Sequence, residues 1–343
     1  MSSEIIKDNL FLHRFKVELS LLLIELLILI IDKLIHKNFY IINNPKEGFF
    51  MAIKIYADAG SNLFKSIIQK RNADIKIVNM SLTIDDRIYN CYEDEIDVDQ
   101  FSHSFYQKMR EGKKINTSQI TPYTYLEAFK EDIANGHQII CFVMAKGISG
   151  TYNSACTARD IINQEQGKEM VYIVDSATAG FGEGLQAIHA YELVKKGLDF
   201  KAICYECEKF KFKVRSEFTV GDIKYLISKG RVSALLARFI NFLRIKFILK
   251  GSNKSKIEVA GKVNGRKMAL KRLAETCIAK IKNPENQTVY ISHCDVYDDA
   301  LTIKNYLVDH GVKNVEIYFY DLITGAHIGP DSLAVFYVGN NRD

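Results

Sequence analysis

The sequence predicts an α/β protein with a parallel sheet. From Met51 onward, apolar runs typical of strands alternate with segments of helical periodicity. Repeated strand–turn–helix units imply parallel strands joined by right-handed crossovers. Several of these strands run directly into Asp, Ser or Gly, which is typical of turns at a sheet edge. With 343 residues, the chain is long for a single core, so two domains are expected.

The first α/β domain is predicted over residues 51–210. Its expected strands are residues 53–57, 74–80, 138–144 and 171–174, and its expected helices are residues 63–70, 97–107, 124–135 and 152–164. The pattern becomes mixed near residue 211, so residues 211–343 are predicted to form a second α/β domain. Its expected strands are residues 247–250, 257–263, 289–294, 315–320 and 333–338, with helices at residues 234–243 and 267–280.

Residues 1–50 form an extension of different character. Residues 17–35 are nearly all apolar, but Glu18, Glu25 and Asp32 recur at seven-residue spacing and would share one helix face. A carboxylate in the middle of a membrane span is costly, and no small-residue cleavage site follows. The segment is interpreted as a packed helix, as a weak membrane contact, or as no part of a working protein that starts at Met51.

Composition is that of an ordinary globular protein, with 48% hydrophobic and 25% charged residues. The net charge of +5 is too mild to indicate nucleic-acid binding. The seven cysteines are odd in number and form no secreted disulfide framework, which predicts reduced, cytoplasmic thiols. Cys204 and Cys207 form a C-x-x-C without the second pair that a zinc site requires.

Polar residues follow three of the strands predicted for the first domain. They are Asp58, Ser61, Ser149, Thr151, Asp175 and Ser176. The carboxyl ends of parallel strands meet at one edge, where α/β proteins bind ligands. A helix beginning there also favours an anion. We therefore expect these side chains to converge on a site for an anionic group.

Two basic stretches suggest surfaces that could bind a partner. Residues 209–215 alternate basic and apolar side chains, which predicts a half-buried strand with a solvated basic face. The basic residues near position 270 fit an exposed helix start; they are Arg266, Lys267, Lys271 and Arg272. Together the two stretches could meet an acidic partner or anionic lipid.

Six motifs in order carry a resemblance to a known family. They are Asp58 with Ser61, residues 117–119 (TSQ), residues 149–155 (SGTYNSA), residues 174–176 (VDS), residues 230–231 (GR) and residues 325–330 (GAHIGP). This sequence resembles the DegV family, which includes the fatty-acid-binding subunits of bacterial fatty acid kinase. The resemblance runs from Met51 to the end of the sequence.

The resemblance implies two α/β domains with a long-chain fatty acid buried in an apolar tunnel between them. It implies no catalysis by this chain and no cofactor; a separate ATP-dependent kinase subunit would phosphorylate the presented carboxylate. The residues implied to hold the carboxylate are Thr117, Ser118, Ser149, Gly150, Thr151 and His327. Asp58, Ser61, Asp175 and Ser176 would support them, and Arg231 would contact the kinase or an acyl phosphate. The expected location is the cytoplasm, with transient contact at a membrane surface.

The sequence departs from the family pattern at four places: Ala59 replaces a Ser, Ala145-Lys146 stand where Ser residues are common, Lys229 replaces a Gly, and Asp331 replaces a Gly. Lys146 would add a positive charge near the carboxylate.

Simpler interpretations remain for single residues. Ser149 or Thr151 could merely cap a helix, His327 could be a loop histidine, and Arg231 could be a surface arginine.

A serine hydrolase is the second function considered. Ser149, then Asp295 or Asp321, and then His327 follow the α/β-hydrolase order. However, residues 147–151 (GISGT) lack the last glycine of the nucleophile elbow. Nucleotide binding is weaker still, because no phosphate-binding loop pattern is present.

Overall fold

The computed structural model describes residues 52–90, 98–233 and 244–342. The extension at residues 1–50, Met51 and the helix predicted at residues 234–243 lie outside the described residues. The strands are β1 Ile53–Asp58, β2 Ile75–Val78, β3 Ser81–Ile84, β4 Arg87–Asn90, β5 Ile115–Thr117, β6 Gln138–Val143, β7 Val171–Asp175, β8 Val214–Thr219, β9 Ile245–Gly251, β10 Ile257–Asn264, β11 Thr288–His293, β12 Asn314–Phe319 and β13 Leu333–Val338. The helices are α1 Lys65–Lys70, α2 Val98–Arg110, α3 Pro122–Ala134, α4 Thr151–Gln166, α5 Phe181–Lys195, α6 Phe200–Phe210, α7 Lys224–Ser228, α8 Arg266–Lys280, α9 Tyr297–Asp309 and α10 Leu322–Ile328.

The first sheet is parallel, with strand order β2-β1-β6-β7. Of its two central strands, β6 is apolar after Gln138, and β1 is apolar except for Lys54 and Asp58, because helices cover both faces of such a sheet. A small antiparallel sheet of order β4-β3-β5 follows β2 in the chain. β1, β6 and β7 all run the same way, so the turns that follow them lie at one edge, as predicted.

The second sheet is mixed and has strand order β10-β9-β8-β13-β11-β12. β11 and β12 are parallel, and the other pairs are antiparallel. β13, the last strand in the chain, lies in the middle between β8 and β11. The predicted fold class, a parallel N-terminal sheet followed by a mixed C-terminal one, is confirmed.

β13 shows how this sheet is buried on both faces. Leu333, Val335 and Tyr337 join an apolar core formed with α8 and α9, whereas Ala334 and Phe336 join the core shared with the first sheet. Alternate residues of a strand point to opposite faces, which produces this division. Ala52–Asp343 form one compact unit, and the domain boundary at residue 210 stays a prediction.

The strand predicted over residues 209–215 is wrong. α6 continues to Phe210 and β8 begins at Val214. Lys211 and Arg215 are buried rather than solvated; the Arg215 guanidinium lies 3.2 Å from a carboxylate oxygen of Glu217. Local alternation suggests a strand, but the preceding helix runs into the start of this stretch, and a turn at residues 211–213 separates it from β8.

Cys204 and Cys207 lie one helical turn apart on the buried side of α6. Burial raises the pKa of both thiols, that of Cys207 to about 12, which makes them unreactive and fits a core role. None of the described helices combines the length and the apolar character that a membrane crossing requires.

Candidate functional site

A cavity of about 330 Å³ lies against the turns that end β5, β6 and β7 and against the second sheet. This volume is at the lower end of the roughly 300–1,000 Å³ of small-molecule sites. The apolar lining comprises Met80, Met144, Ala145, Ile148, Ala177, Ala179, Phe218, Leu226, Ile257, Ile323 and Ile328, and Gly150 and Gly251 also line the cavity. The polar lining comprises Thr117, Ser118, Gln119, Ser149, Thr178, Ser216, Arg231, Lys256, Tyr320, Thr324 and His327.

Thr117 and His327 form a hydrogen-bonded pair across the cavity wall. Thr117 ends β5, and its Oγ1 lies 3.0 Å from Nε2 of His327 on α10. Asp321 begins α10, where its carboxylate accepts the backbone N–H of Thr324 at 2.6 Å. This cap fixes the short helix that carries His327. In the described part of the chain, the buried Nδ1 of His327 has no hydrogen-bond partner.

The imidazole of His327 is neutral at physiological pH. Burial lowers its pKa to about 4, and the positive charges of Arg231 and Lys229 lower it further. A neutral histidine offers one N–H donor and one acceptor nitrogen. The residue can therefore orient a hydrogen-bonding partner but supplies no charge to an anion.

Ser149 lines the cavity in the turn that precedes helix α4. Its Oγ donates to Thr151 Oγ1 at 3.0 Å and accepts the backbone N–H of Thr151 at 3.2 Å. The N-cap of α4 is Gly150, and no side chain caps this helix, so Ser149 holds the turn and does not cap the helix. Thr151 is fully buried and does not line the cavity. Ser118 does line it, and its hydroxyl hydrogen-bonds that of Ser81.

Gly150 leaves space for a protein side chain. A Cβ at this position would collide with the side-chain amide of Gln119. That amide donates from Nε2 to Ser154 Oγ at 3.0 Å and lines the cavity. Gln119 was missing from the predicted site, although it directly follows the Thr117-Ser118 pair.

Asp58 and Ser61 lie behind the cavity wall. The Asp58 carboxylate is fully buried and accepts the backbone N–H groups of Gly60 at 2.7 Å and Met144 at 2.9 Å. Its own N–H donates to Glu183 at 3.1 Å. Burial raises the pKa of Asp58 to about 6, and burial with the nearby Asp58 charge raises that of Glu183 well above its usual range. These acids hold the turn that brings Met144 into the lining.

Asp175 and Ser176 also shape a turn. Asp175 accepts the N–H groups of Lys146 and Ala177 and the hydroxyl of Ser255, at 3.2, 3.0 and 2.6 Å respectively. Ser176 Oγ donates to the carbonyl of Thr178 at 3.1 Å. Neither residue lines the cavity. Of the six strand-end residues predicted to converge, only Ser149 reaches it.

Two cations line the cavity. Arg231 is half-buried, and its guanidinium donates to the carbonyl of Lys229 at 2.7 Å. Lys256 is exposed and lies in the loop between β9 and β10, which no motif marked. Lys146 does not line the cavity, and its ammonium lies 3.8 Å from the Asp175 carboxylate.

The serine, the histidine and the two acids considered for a hydrolase contact other residues and not one another. Ser149 hydrogen-bonds Thr151, and His327 hydrogen-bonds Thr117. Asp321 caps α10, and Asp295 receives the guanidinium of Arg110. This arrangement contains no serine–histidine–acid relay of the kind that activates a nucleophile. The described residues contain no cluster of three or more side chains that could hold a metal ion.

Comparison with known proteins identifies the family. The family model described as "Uncharacterised protein, DegV family" matches residues 52–340. A DegV domain-containing protein from Clostridium perfringens (strain 13 / Type A) is 31% identical over 290 residues, covering 84% of this chain and 98% of that protein.

Solved structures share the fold. A fatty-acid-binding DegV family protein from Streptococcus agalactiae is 24% identical with a TM-score of 0.72, covering 85% of this chain and 100% of that one. The fatty acid kinase B3 protein from Streptococcus pneumoniae, loaded with linoleic acid, is 18% identical with a TM-score of 0.70, covering 84% and 100%. The chain described here belongs to the DegV family.

Proposed function

We propose that this protein binds a long-chain fatty acid in the cavity and presents the carboxylate to a separate, ATP-dependent fatty acid kinase subunit. The observation that carries the proposal is the cavity itself, whose apolar wall is interrupted by the Thr117–His327 pair. The fatty acids bound by the structural neighbours from S. agalactiae and S. pneumoniae support it. The chain acts as a carrier, and the chemistry belongs to the kinase.

The acyl chain would occupy the apolar part of the cavity. Ile148 follows the first sheet, whereas Phe218 and Ile257 belong to the second, so both sheets would contact the ligand. Burying each methylene of an acyl chain contributes about 0.8 kcal/mol. The acyl chain would therefore supply most of the binding affinity, and the polar residues would fix the direction in which the fatty acid lies.

The carboxylate would be held by donors at the Thr117–His327 pair. With its proton on Nε2, neutral His327 donates to Thr117 Oγ1, and the Thr117 hydroxyl proton is then available to the ligand. Ser118 and the Gly150 N–H would add donors. Ser149 would add another when its hydroxyl proton turns from Thr151 Oγ1 to the carboxylate, and Thr151 would position it. Hydrogen bonds to a carboxylate are stronger than those between neutral groups.

Arg231 would supply the positive charge that a buried anion needs. Its guanidinium lines the cavity beside the carbonyl of Lys229, so it can meet a carboxylate, an acyl phosphate or the kinase. Asp58, Ser61, Asp175 and Ser176 would act through the turns that they hold and not by contact with the ligand.

Organic extraction and mass spectrometry test the ligand. We expect a fatty acid in about one-to-one amount with purified protein. Protein that is empty and also fails to take up labelled fatty acid would contradict the proposal. Steady ester hydrolysis that disappears in Ser149→Ala would instead support the hydrolase.

The head group is tested with Ser149→Ala and His327→Ala. Both variants should weaken fatty-acid-dependent ATP turnover by a fatty acid kinase subunit. Ser228→Ala, which removes an exposed hydroxyl outside the cavity lining, is the matched control and should leave turnover unchanged. Wild-type turnover in both site variants would refute their roles.

A further inference from the structure

The cavity contains a second polar position that the carboxylate site does not use. Thr178, in the turn between β7 and α5, is 4% exposed, and Ser216 on β8 is 6% exposed. Their hydroxyl oxygens lie 3.0 Å apart, and both residues line the cavity. An apolar tunnel for a plain hydrocarbon chain has no need of such a pair.

The backbone holds this pair firmly in place. The Thr178 carbonyl accepts the Ala145 N–H at 2.7 Å, and Ser216 is registered opposite Phe336 in the centre of the second sheet. Next to Ser216, strand β9 carries Gly251, where a Cβ would lie only 2.8 Å from the Ser216 hydroxyl oxygen. The glycine therefore avoids a clash with this hydroxyl at a position where the Ala177 carbonyl oxygen and the Arg342 guanidinium also lie close, each 3.3 Å from such a Cβ.

The hydrogen-bond inventory of the pair is incomplete. The single Thr178 hydroxyl proton can point to Ser216 Oγ at 3.0 Å or to the Ala179 carbonyl at 3.3 Å. In the first case Ser216 keeps its proton for another acceptor; in the second, the Ser216 proton goes to Thr178 and lone pairs remain open. The pair can thus offer either a donor or an acceptor, and a methylene group satisfies neither.

We infer that the preferred ligand is a long-chain fatty acid that carries an oxygen substituent, a hydroxyl or a keto group, where the chain passes Thr178 and Ser216. A ligand hydroxyl donates and accepts, and a keto oxygen accepts the Ser216 proton, so both match the pair. This inference rests on the proposed function and adds the class of acyl chain. Thr178 and Ser216 are its specificity-determining residues.

Competition binding with a panel of acids tests the inference. Octadecanoic acid and its hydroxy and keto derivatives, substituted at successive chain positions, displace a fluorescent fatty acid from the full-length protein. At least one substituted acid should bind about tenfold more tightly than octadecanoic acid, the factor expected for one additional hydrogen bond. If octadecanoic acid binds as tightly as every derivative, the inference is wrong while the proposed function stands. If no acid binds at all, the proposed function itself fails.

Variants assign the preference to the pair. Thr178→Val and Ser216→Ala should each reduce the ratio of the two affinities, substituted acid over octadecanoic acid, from about tenfold to about one. Measurable binding of octadecanoic acid by each variant shows that the cavity is folded. Gly251→Ala, which keeps both hydroxyls but places a methyl group against Ser216, should reduce the preference as well. Ser149→Ala is the contrasting variant and should weaken all acids by the same factor. A preference that survives in the Thr178→Val, Ser216→Ala double variant would overturn the assignment.

Discussion

Asp58 ends β1 and Thr117 ends β5, and each is paired with a residue from elsewhere in the chain, but the two pairs differ in what they face. Asp58 and Glu183 are sealed behind the wall, where their oxygens accept backbone N–H groups of the protein. Thr117 and His327 open onto the cavity, and Nδ1 of His327 has no partner in the part of the chain that the structure describes. Both carboxylate oxygens of Asp58 are satisfied by its own fold, whereas the Thr117–His327 pair has bonding capacity left for a ligand.

This difference distinguishes a residue that holds the fold from one that can bind a ligand, which a sequence motif alone does not. An Asp and a Thr that each follow a strand look equally suited to a site, yet only one of them touches the cavity. Removing a saturated group should damage folding, and removing an unsaturated one should damage binding. The following predictions test that division, from the largest effect to the smallest.

Asp58→Ala should lower the free energy of unfolding by about 3 kcal/mol, because two buried N–H groups, those of Gly60 and Met144, lose their acceptor. Urea unfolding measures the change. Asp86→Ala removes an exposed acid and should shift stability by no more than about 0.5 kcal/mol. Equal stability of the two variants would show that Asp58 does not hold the turn.

Thr117→Val should weaken fatty-acid binding about thirtyfold, or about 2 kcal/mol, because the valine keeps the shape but removes the hydroxyl that would donate to the carboxylate under the proposed function. Titration calorimetry measures the affinity. Thr157→Val, on the exposed face of α4, is the matched control and should bind as the wild type does. A thirtyfold loss accompanied by an equal loss of stability would break the division of roles.

The contributions of His327 and Asp58 to the stability of the fold should change with pH in opposite directions. His327 has its pKa lowered to about 4, so the unfolded state binds the proton first and stability falls as pH drops below about 6.5. Asp58 has its pKa raised to about 6, so the folded state binds the proton first and stability rises as pH falls through 6.

From pH 6.5 to 5.5 the His327 effect amounts to about 1 kcal/mol. His327→Gln should therefore gain about 1 kcal/mol relative to the wild type over this interval, whereas the deficit of Asp58→Ala should grow. Urea unfolding of both variants at the two pH values measures this. Parallel responses would contradict the opposite assignments.

Gly150→Ala should have the smallest effect, at most about 1 kcal/mol in stability, because the added methyl displaces the Gln119 amide from Ser154. Gly261→Ala is the control, since the space around that glycine is open. Thermal unfolding compares the two. If the unfolding temperature of Gly150→Ala equals that of the wild type, the contact between Gln119 and Ser154 contributes nothing to stability.

Local patterns predicted much of this fold. Apolar runs bounded by turn residues located the parallel strands, because both faces of such a sheet are buried and every position must be apolar. The same logic placed Ser149 at the sheet edge. The alternation at residues 209–215 misled, because buried Phe200, Ile203, Cys204 and Cys207 already set a helical period that runs on to Phe210.

Non-local pairing could not be predicted. Nothing in the sequence of β13 says that it lies between β8 and β11, since that choice depends on which edges remain free after the other strands have paired. The lining of the cavity could not be predicted for the same reason. Ser216 and Phe218 reach it because β8 turns one face towards the first sheet, and Lys256 reaches it through a loop whose course no motif marks.

The central place of β13 also bears on how the protein is made. Translation produces every other strand of the second sheet before residues 333–338 emerge, so β8 and β11 wait with unpaired edges until then. The wall that carries Ser216 and Phe218 is completed only after that last insertion. If the protein binds a fatty acid as proposed, a nascent chain held before residue 333 is expected to take up none, because that wall is not yet complete.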